Sequence, residues 1–269
     1  MQPTLTPQTI DSVTFLTDVA LFASAGIRIA FTQRHGGVSE APYASLNLGA
    51  HVGDDTDSVA QNRERVCMAL GFDEDAPWHL NSAEQTHGTN VAVAASNAYE
   101  HADTDAIVTA DAGTPLLLCF ADCVPIILVD PHHKAVAVVH SGWRGTLDKI
   151  VAKAVETLAE NYGTDPADIL AYIGPYIGLE SFEISSEIGL QFRSVFTTLT
   201  AGDTYIENGA SARLDLGVAV QHSLTEAGVA ECSIVNPRID TVTHTGEWFS
   251  YRAENSLTGR HGALAYILP

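Results

Sequence analysis

Nowhere in these 269 residues is there an apolar run of about 18, the length a membrane-spanning helix needs. The opening segment "MQPTLTPQTIDSVTF" has neither a basic stretch nor an apolar core of the secretory kind, so the expected location is the cytoplasm. Basic residues are scarce: 13 Lys and Arg stand against 33 Asp and Glu, a formal charge of -20. Such a surface repels a phosphate backbone, which argues against nucleic acid as a partner. The four cysteines, Cys67, Cys119, Cys123 and Cys232, form no disulfide-like framework and no C-x-x-C pair, so reduced thiols are expected and a zinc finger is excluded. Methionine is nearly absent, with Met1 and Met68 only, and no His-x-His pair occurs among 11 histidines. Type 1 copper sites commonly use a weak axial Met, and the trinuclear clusters that accompany them need many paired histidines.

Apolar residues make up 46% of the chain, enough for a sizeable core. Short apolar segments read as strands at 27–31, 91–95, 106–110, 115–120, 125–129, 135–139, 169–173 and 263–268. "DPHHK" (130–134) between two of them predicts a hairpin. Helical periodicity follows Gly145, through Leu147, Ile150, Val151, Ala154, Val155 and Leu158, with Thr146 or Asp148 near the start. Two more helices are expected at 57–71 and 214–228, the latter stopping at Gly228. With more strands than helices and no regular alternation, the expected fold is a single α+β domain over residues 1–269.

Three residues with metal-binding side chains stand at turn-like ends of apolar segments: His87 in "EQTHGTN", Cys123 in "FADCVPI" and His140 in "VVHSGWRG". Three ligands from separate segments, with a fourth position open, make the catalytic type of zinc site. Taken singly, each is equally readable as a packed core residue, since free cysteine behaves as a small hydrophobe. A Cys123 nucleophile with His140 or His87 as base is a further alternative, and it would make a hydrolase that needs no metal.

Seven motifs in order then carry a resemblance: "TQRHGGVSEAPYASLNLGAHVGDD" (32–55), "EQTHG" (84–88), "DTDAIVT" (103–109), "FADCVPIIL" (120–128), "HSGWRG" (140–145), "IGPYIG" (173–178) and "WFSYR" (248–252) with "TGRHG" (258–262). The chain resembles the YfiH family, also called the polyphenol oxidase or laccase-domain family. The resemblance implies one α+β domain of mixed sheets sandwiched by helices, and zinc held by His87, Cys123 and His140. It also implies phosphorolysis of adenosine, inosine and 5'-methylthioadenosine, with adenosine deamination as a second activity and purine nucleoside and phosphate as substrates. Copper-dependent phenol oxidation and a role as a peptidoglycan editing factor are attributed to similar proteins too. Copper can occupy a nitrogen and sulfur site in vitro, being bound more tightly than zinc. Cysteines that family members often carry near 174–185 and 236–241 are missing here, which weakens any transfer of redox chemistry or of a second metal site.

Phosphorolysis needs an anion site in this acidic chain. Arg34, in the "QRHGGVS" loop, is the first candidate and Arg144 the second, although a solvated Arg at a glycine turn is the plainer reading. If Thr146 begins the helix, backbone N–H groups around Gly145 add a helix-terminus site. Asn47 and Gln85 are candidates to bind substrate or to orient a ligand. Asp105 is a candidate acid, a partner to a ligand or, with Asp103, a solvated turn residue. Trp143 reads as a packing anchor, His35, His132, His133 and His261 as loop histidines, and Cys119 and Cys232 as ordinary buried thiols.

Overall fold

The apolar runs flanking "DPHHK" become the strands Val124–Asp130 and Ala135–Ser141, paired antiparallel in the register His140 opposite Pro125 and Ser141 opposite Val124. Every residue of both strands is buried, so they read as continuous apolar runs and not as alternations. The computed structural model describes residues 2–72, 80–95, 99–197 and 205–269.

The hairpin lies at the heart of a six-stranded sheet, in the order Ile234–Val235, Leu170–Ile173, Val124–Asp130, Ala135–Ser141, Ala106–Thr109 and Val91–Val93. A five-stranded antiparallel sheet runs Thr6–Ile10, Val13–Thr17, Ile27–Thr32, His261–Ile267 and Leu116–Phe120. The two sheets pack face to face through Ile107, Ile127, Val129 and Val138 on one side and Ile29, Phe31, Leu118 and Ala265 on the other. Their outer faces are covered by helices. Ile150–Tyr162 and Leu216–Glu226 lie over the six-stranded sheet, burying Val151, Ala154, Leu158 and Val220. Thr56–Leu70 lies over the five-stranded sheet through Val66, Cys67 and Leu70. Each fully buried aliphatic side chain contributes about 1.5–3 kcal/mol. The result is the expected α+β fold of mixed sheets between helices.

Local chemistry fixes the boundaries. Asp55 caps Thr56–Leu70 by accepting from the Ser58 amide, and Gly71, at φ 72°, closes it in the left-handed conformation. Asp215 caps Leu216–Glu226 in the same way through Val218 N, and that helix ends at Ala227 just before Gly228. The helix expected to begin at Thr146 begins earlier and is broken. Gly142 precedes a short helix, Trp143–Leu147, and Lys149 at φ 56° interrupts the chain before Ile150 starts the long one. Gly145 therefore lies inside a five-residue helix, and the anion site expected around it is not formed.

Three further expectations are corrected. His261 is no loop residue: it opens the strand His261–Ile267 and is wholly buried. Cys232 is exposed, whereas Cys119 is buried as expected. The strand expected over 91–95 is trimmed to Val91–Val93. Among the described residues no helix is long and apolar enough to cross a membrane.

Candidate metal centre and the cavity above it

The hairpin register explains how distant residues meet. Since Ser141 pairs with Val124, Cys123 is carried to the end of the strand beside His140. On the other side of His140, Val139 pairs with Ala106, which places Asp105 next to the imidazole. Val91–Val93 runs parallel to Ala106–Thr109, so the loop before it brings His87 to the same end of the sheet. One ligand atom each from His87, Cys123 and His140 lies within 4.8 Å of the others. Gly142 permits this approach: a Cβ there would stand 2.9 Å from His87 Cδ2 and 3.3 Å from Cys123 Sγ.

Asp105 organises the cluster. It is fully buried, and its Oδ1 meets His140 Nδ1 at 2.7 Å. The same carboxylate accepts the amides of Thr86, His87 and Gly88, at 3.2, 3.0 and 2.7 Å. Those bonds hold His87 in its left-handed backbone conformation, φ 62°. With Nδ1 engaged, His140 presents Nε2 for a ligand. Burial works to raise the Asp105 carboxyl, but the His140 bond and the Gly88 and His87 amides outweigh it and hold the carboxyl below its usual range. Burial also pushes the Cys123 thiol up, yet His140 and His87 reverse this and favour the thiolate. The donor set of two imidazoles and one thiolate, with a carboxylate behind one imidazole, fits a zinc-like metal with an open position.

The cluster forms part of the wall of a cavity of about 400 Å³, within the common range of about 300–1,000 Å³ for small-molecule sites. The lining combines apolar residues, Trp143, Ile177, Phe182 and Leu216, with polar ones, Tyr251, Arg252, Arg260 and His51, and Arg252 lies over the Phe182 ring.

The residues expected to bind substrate are placed differently. Arg34 does not line this cavity; its guanidinium bonds Ala44 O, Thr245 O and Glu254 Oε1, and lies over the Phe249 ring. Arg144 is exposed and stacks on Trp143 outside the lining. Asn47 is buried; its Oδ1 accepts from Gly49 N and Arg260 N, and its Nδ2 donates to Asp54. Gln85 lines the cavity, but its amide pairs with both backbone groups of Cys119. Asp105 holds His140 and the His87 segment and does not line the cavity. Asp103, at φ 45°, is not extended; it bonds Thr86 Oγ1 and Asn90, and the same Thr86 hydroxyl meets Asp105 Oδ2 at 3.3 Å, so the two carboxylates flank one hydroxyl. Asp122, at φ 87°, accepts from Thr241 Oγ1 and Arg252 N. Arg252 and Arg260 stand in loop-like contexts of the sequence, beside an aromatic residue and a glycine, where side chains can reach a pocket; the fold shows that the pocket is the one that also holds His87, Cys123 and His140.

Residues 28–268 match the family model described as multi-copper polyphenol oxidoreductase laccase. A purine nucleoside phosphorylase of Deinococcus radiodurans is 37% identical over 235 residues, covering 87% of each chain. The purine nucleoside phosphorylase YfiH of Escherichia coli is 32% identical over 243 residues, 90% of this chain and 95% of that one. The crystal structure of YlmD from Geobacillus stearothermophilus superposes with a TM-score of 0.88 at 31% identity, covering 99% of this chain and 100% of that one. That of a Bacillus licheniformis YfiH protein gives 0.85 at 28% identity, over 96% and 97%. Fold, motif order and sequence agree, and the chain belongs to the YfiH family, the group described by the multi-copper polyphenol oxidoreductase laccase model.

Proposed function

We propose that this protein phosphorolyses purine nucleosides, with zinc held by His87, Cys123 and His140. The observation that carries this reading is the placement of that donor set in the wall of a cavity lined by both apolar and basic residues. The names of the relatives, purine nucleoside phosphorylases, support it. A bound zinc ion would supply a Lewis acid for an oxyanion or for water, without redox chemistry.

The chain's own residues account for binding and orientation. A purine suits the apolar lining residues Trp143, Ile177, Phe182 and Leu216, where a flat heteroaromatic ring displaces water from apolar surface. Asp105 fixes the His140 tautomer and holds the His87 segment, so neither ligand has to reorganise during turnover. In the reaction, a phosphate oxygen bonds to C1' as the C1'–N9 bond breaks, and the purine leaves with the electron pair and takes up a proton. Adenosine deamination to inosine is the second activity we assign to the cavity: water adds at C6 of the purine and the amino group leaves as ammonia, with the C1'–N9 bond intact. A reducing cytoplasmic setting suits a thiolate ligand.

Incubating zinc-loaded protein with adenosine, with and without phosphate, tests this directly beside Cys123→Ala. Phosphate-dependent adenine and ribose 1-phosphate, lost in the variant, are the expected products, with inosine reporting deamination. Absence of any product from adenosine, inosine and methylthioadenosine overturns the reading.

A second reading has its own observation. Cys123, His140 and Asp105 stand in the order of a thiol nucleophile, its base and the group that orients the base. A metal-free hydrolase of an amide or peptide, including one with a peptidoglycan editing role, would retain activity after chelation and lose it on alkylation of Cys123. The zinc enzyme would lose activity on chelation.

A further inference from the structure

The chain carries few positive charges, and most of those whose bonds are described are neutralised or engaged within the protein. Arg34 pairs with Glu254, Arg213 with Glu180, and Lys149 with Glu226. Arg28, Arg63 and Arg65 bond backbone carbonyls, as Arg260 and Arg252 do, but the last two are set apart by their place. Both line the cavity of the His-Cys-His cluster, and among the described residues neither makes an ion pair with a carboxylate. In a protein of net charge -20, two unpaired guanidinium groups facing one cavity are a specific feature and not an average one.

We infer that Arg260 and Arg252 form an oxyanion subsite in the cavity and bind a tetrahedral phosphate group. The inference rests on the nucleoside reading above and extends it.

Three observations converge. First, donors are free. Arg260 uses Nη1 alone, toward Thr258 O at 2.9 Å and Gly259 O at 3.0 Å, and Arg252 uses Nη1 toward Ser181 O at 3.2 Å. Nε and Nη2 of each have no partner among the described residues, which leaves the two-pronged edge of each guanidinium for an anion. Second, the two side chains are held in place. Arg260 lies 5.6 Å from the Tyr251 ring centroid and Arg252 5.7 Å from that of Phe182. Their backbones are tied by buried acceptors: Arg260 N to Asn47 Oδ1 at 2.8 Å and Arg252 N to Asp122 Oδ2 at 2.6 Å. Third, burial of Arg260 works against its charge, a cost that an anionic ligand offsets. Asp122 is the one acid lining the cavity among the described residues, and both of its carboxylate oxygens are engaged by Thr241 and Arg252 N. His51 lines the same cavity and adds a hydrogen-bonding imidazole.

Asn47 therefore acts as a positioning residue for Arg260. The bound phosphate can come from two sources, free inorganic phosphate or the 5'-phosphate of a nucleotide, and both present the same dianion.

Calorimetric titration of the metal-loaded protein with inorganic phosphate, AMP and adenosine separates them. Arg260→Gln is expected to raise the Kd for phosphate at least tenfold, Arg252→Gln several-fold, and Arg144→Gln to leave it unchanged. Arg260→Lys should fall between wild type and Arg260→Gln, since it keeps the charge and loses the fork. A matching loss for AMP with adenosine binding intact assigns the 5'-phosphate as an occupant too; loss for inorganic phosphate alone assigns only the free anion. Wild-type protein that binds neither anion, or Arg260→Gln and Arg252→Gln variants that bind as wild type, would overturn the subsite. The two readings fail separately. Anion binding that depends on Arg260 in a protein without phosphorolysis keeps the subsite and rejects the activity. Phosphorolysis with an unchanged KM for phosphate in both variants does the reverse.

Discussion

Replacing His261 with Phe should alter how stability depends on pH, by an amount that follows from the burial of one imidazole. His261 is fully buried at the start of its strand, between the Phe120 ring, 6.3 Å away, and the edge-on Trp248 ring, 5.4 Å away. Among the described residues neither ring nitrogen has a hydrogen-bond partner. Burial first, and the positive charges of Arg260 and Arg34 second, push its pKa down to about 3. An unfolded histidine titrates near 6.5. Between these values the unfolded chain binds a proton that the folded chain refuses, so stability falls as pH drops below about 6.5 and this contribution levels off near 3. From pH 7.5 to pH 5 the loss due to this residue is about 2 kcal/mol. Urea denaturation of wild type and His261→Phe at both pH values, with metal removed by chelator, measures it. Packing differences between the two side chains shift the variant equally at each pH and cancel. The stability gap between variant and wild type should move by about 2 kcal/mol in favour of Phe at the lower pH. A gap that stays constant would refute the reasoning, because it would mean that His261 accepts its proton in the folded state.

The metal centre yields two more expectations. Asp105→Asn should weaken metal binding by about 10–100-fold in chelator competition while far-UV circular dichroism stays near wild type, since the substitution keeps the shape but loses the carboxylate that orients His140. Gly142→Ala should lower the metal content of purified protein, read by elemental analysis, because its Cβ collides with His87 Cδ2 and crowds Cys123 Sγ. Full metal occupancy in Gly142→Ala would show that the ligands can move apart without losing the site.

How much of this was legible beforehand differs by element. The central hairpin was readable because buried strands are continuous apolar runs and "DPHHK" can only be a connection. The N-terminal hairpin, Thr6–Ile10 with Val13–Thr17, escaped notice. Its first strand is polar and contains Pro7, and its turn places Asp11 and Ser12 at φ 47° and 71° without the glycine that normally marks such a turn. The break at Lys149 was hidden because the apolar spacing from Leu147 to Ile150 continues across it. His261 looked like a loop residue because glycines stand on both sides of "RH", whereas its strand needs small residues to let Leu48 and Leu117 approach. His87, Cys123 and His140 could be named as candidates from residue type and context, but their meeting depends on strand register over long separations. Arg34 is the first anion-site candidate in the sequence because a glycine-rich loop suggests a free side chain. Only a count of each nitrogen's partners separates an arginine that braces the fold from one that faces a cavity.

The Asp105 carboxylate joins two pieces of chain, the 86–88 loop and the end of the central hairpin, in a single clasp. Such a clasp makes the ligand set preassembled. The freedom of the His140 imidazole and of the His87 backbone is already lost when the chain folds, so capture of an ion need not bear that entropy a second time. A preformed donor set also sets its own terms for the ion, favouring whichever metal accepts the spacing it offers. Which metal such a donor set would take then depends on the supply around it as well as on the ligands.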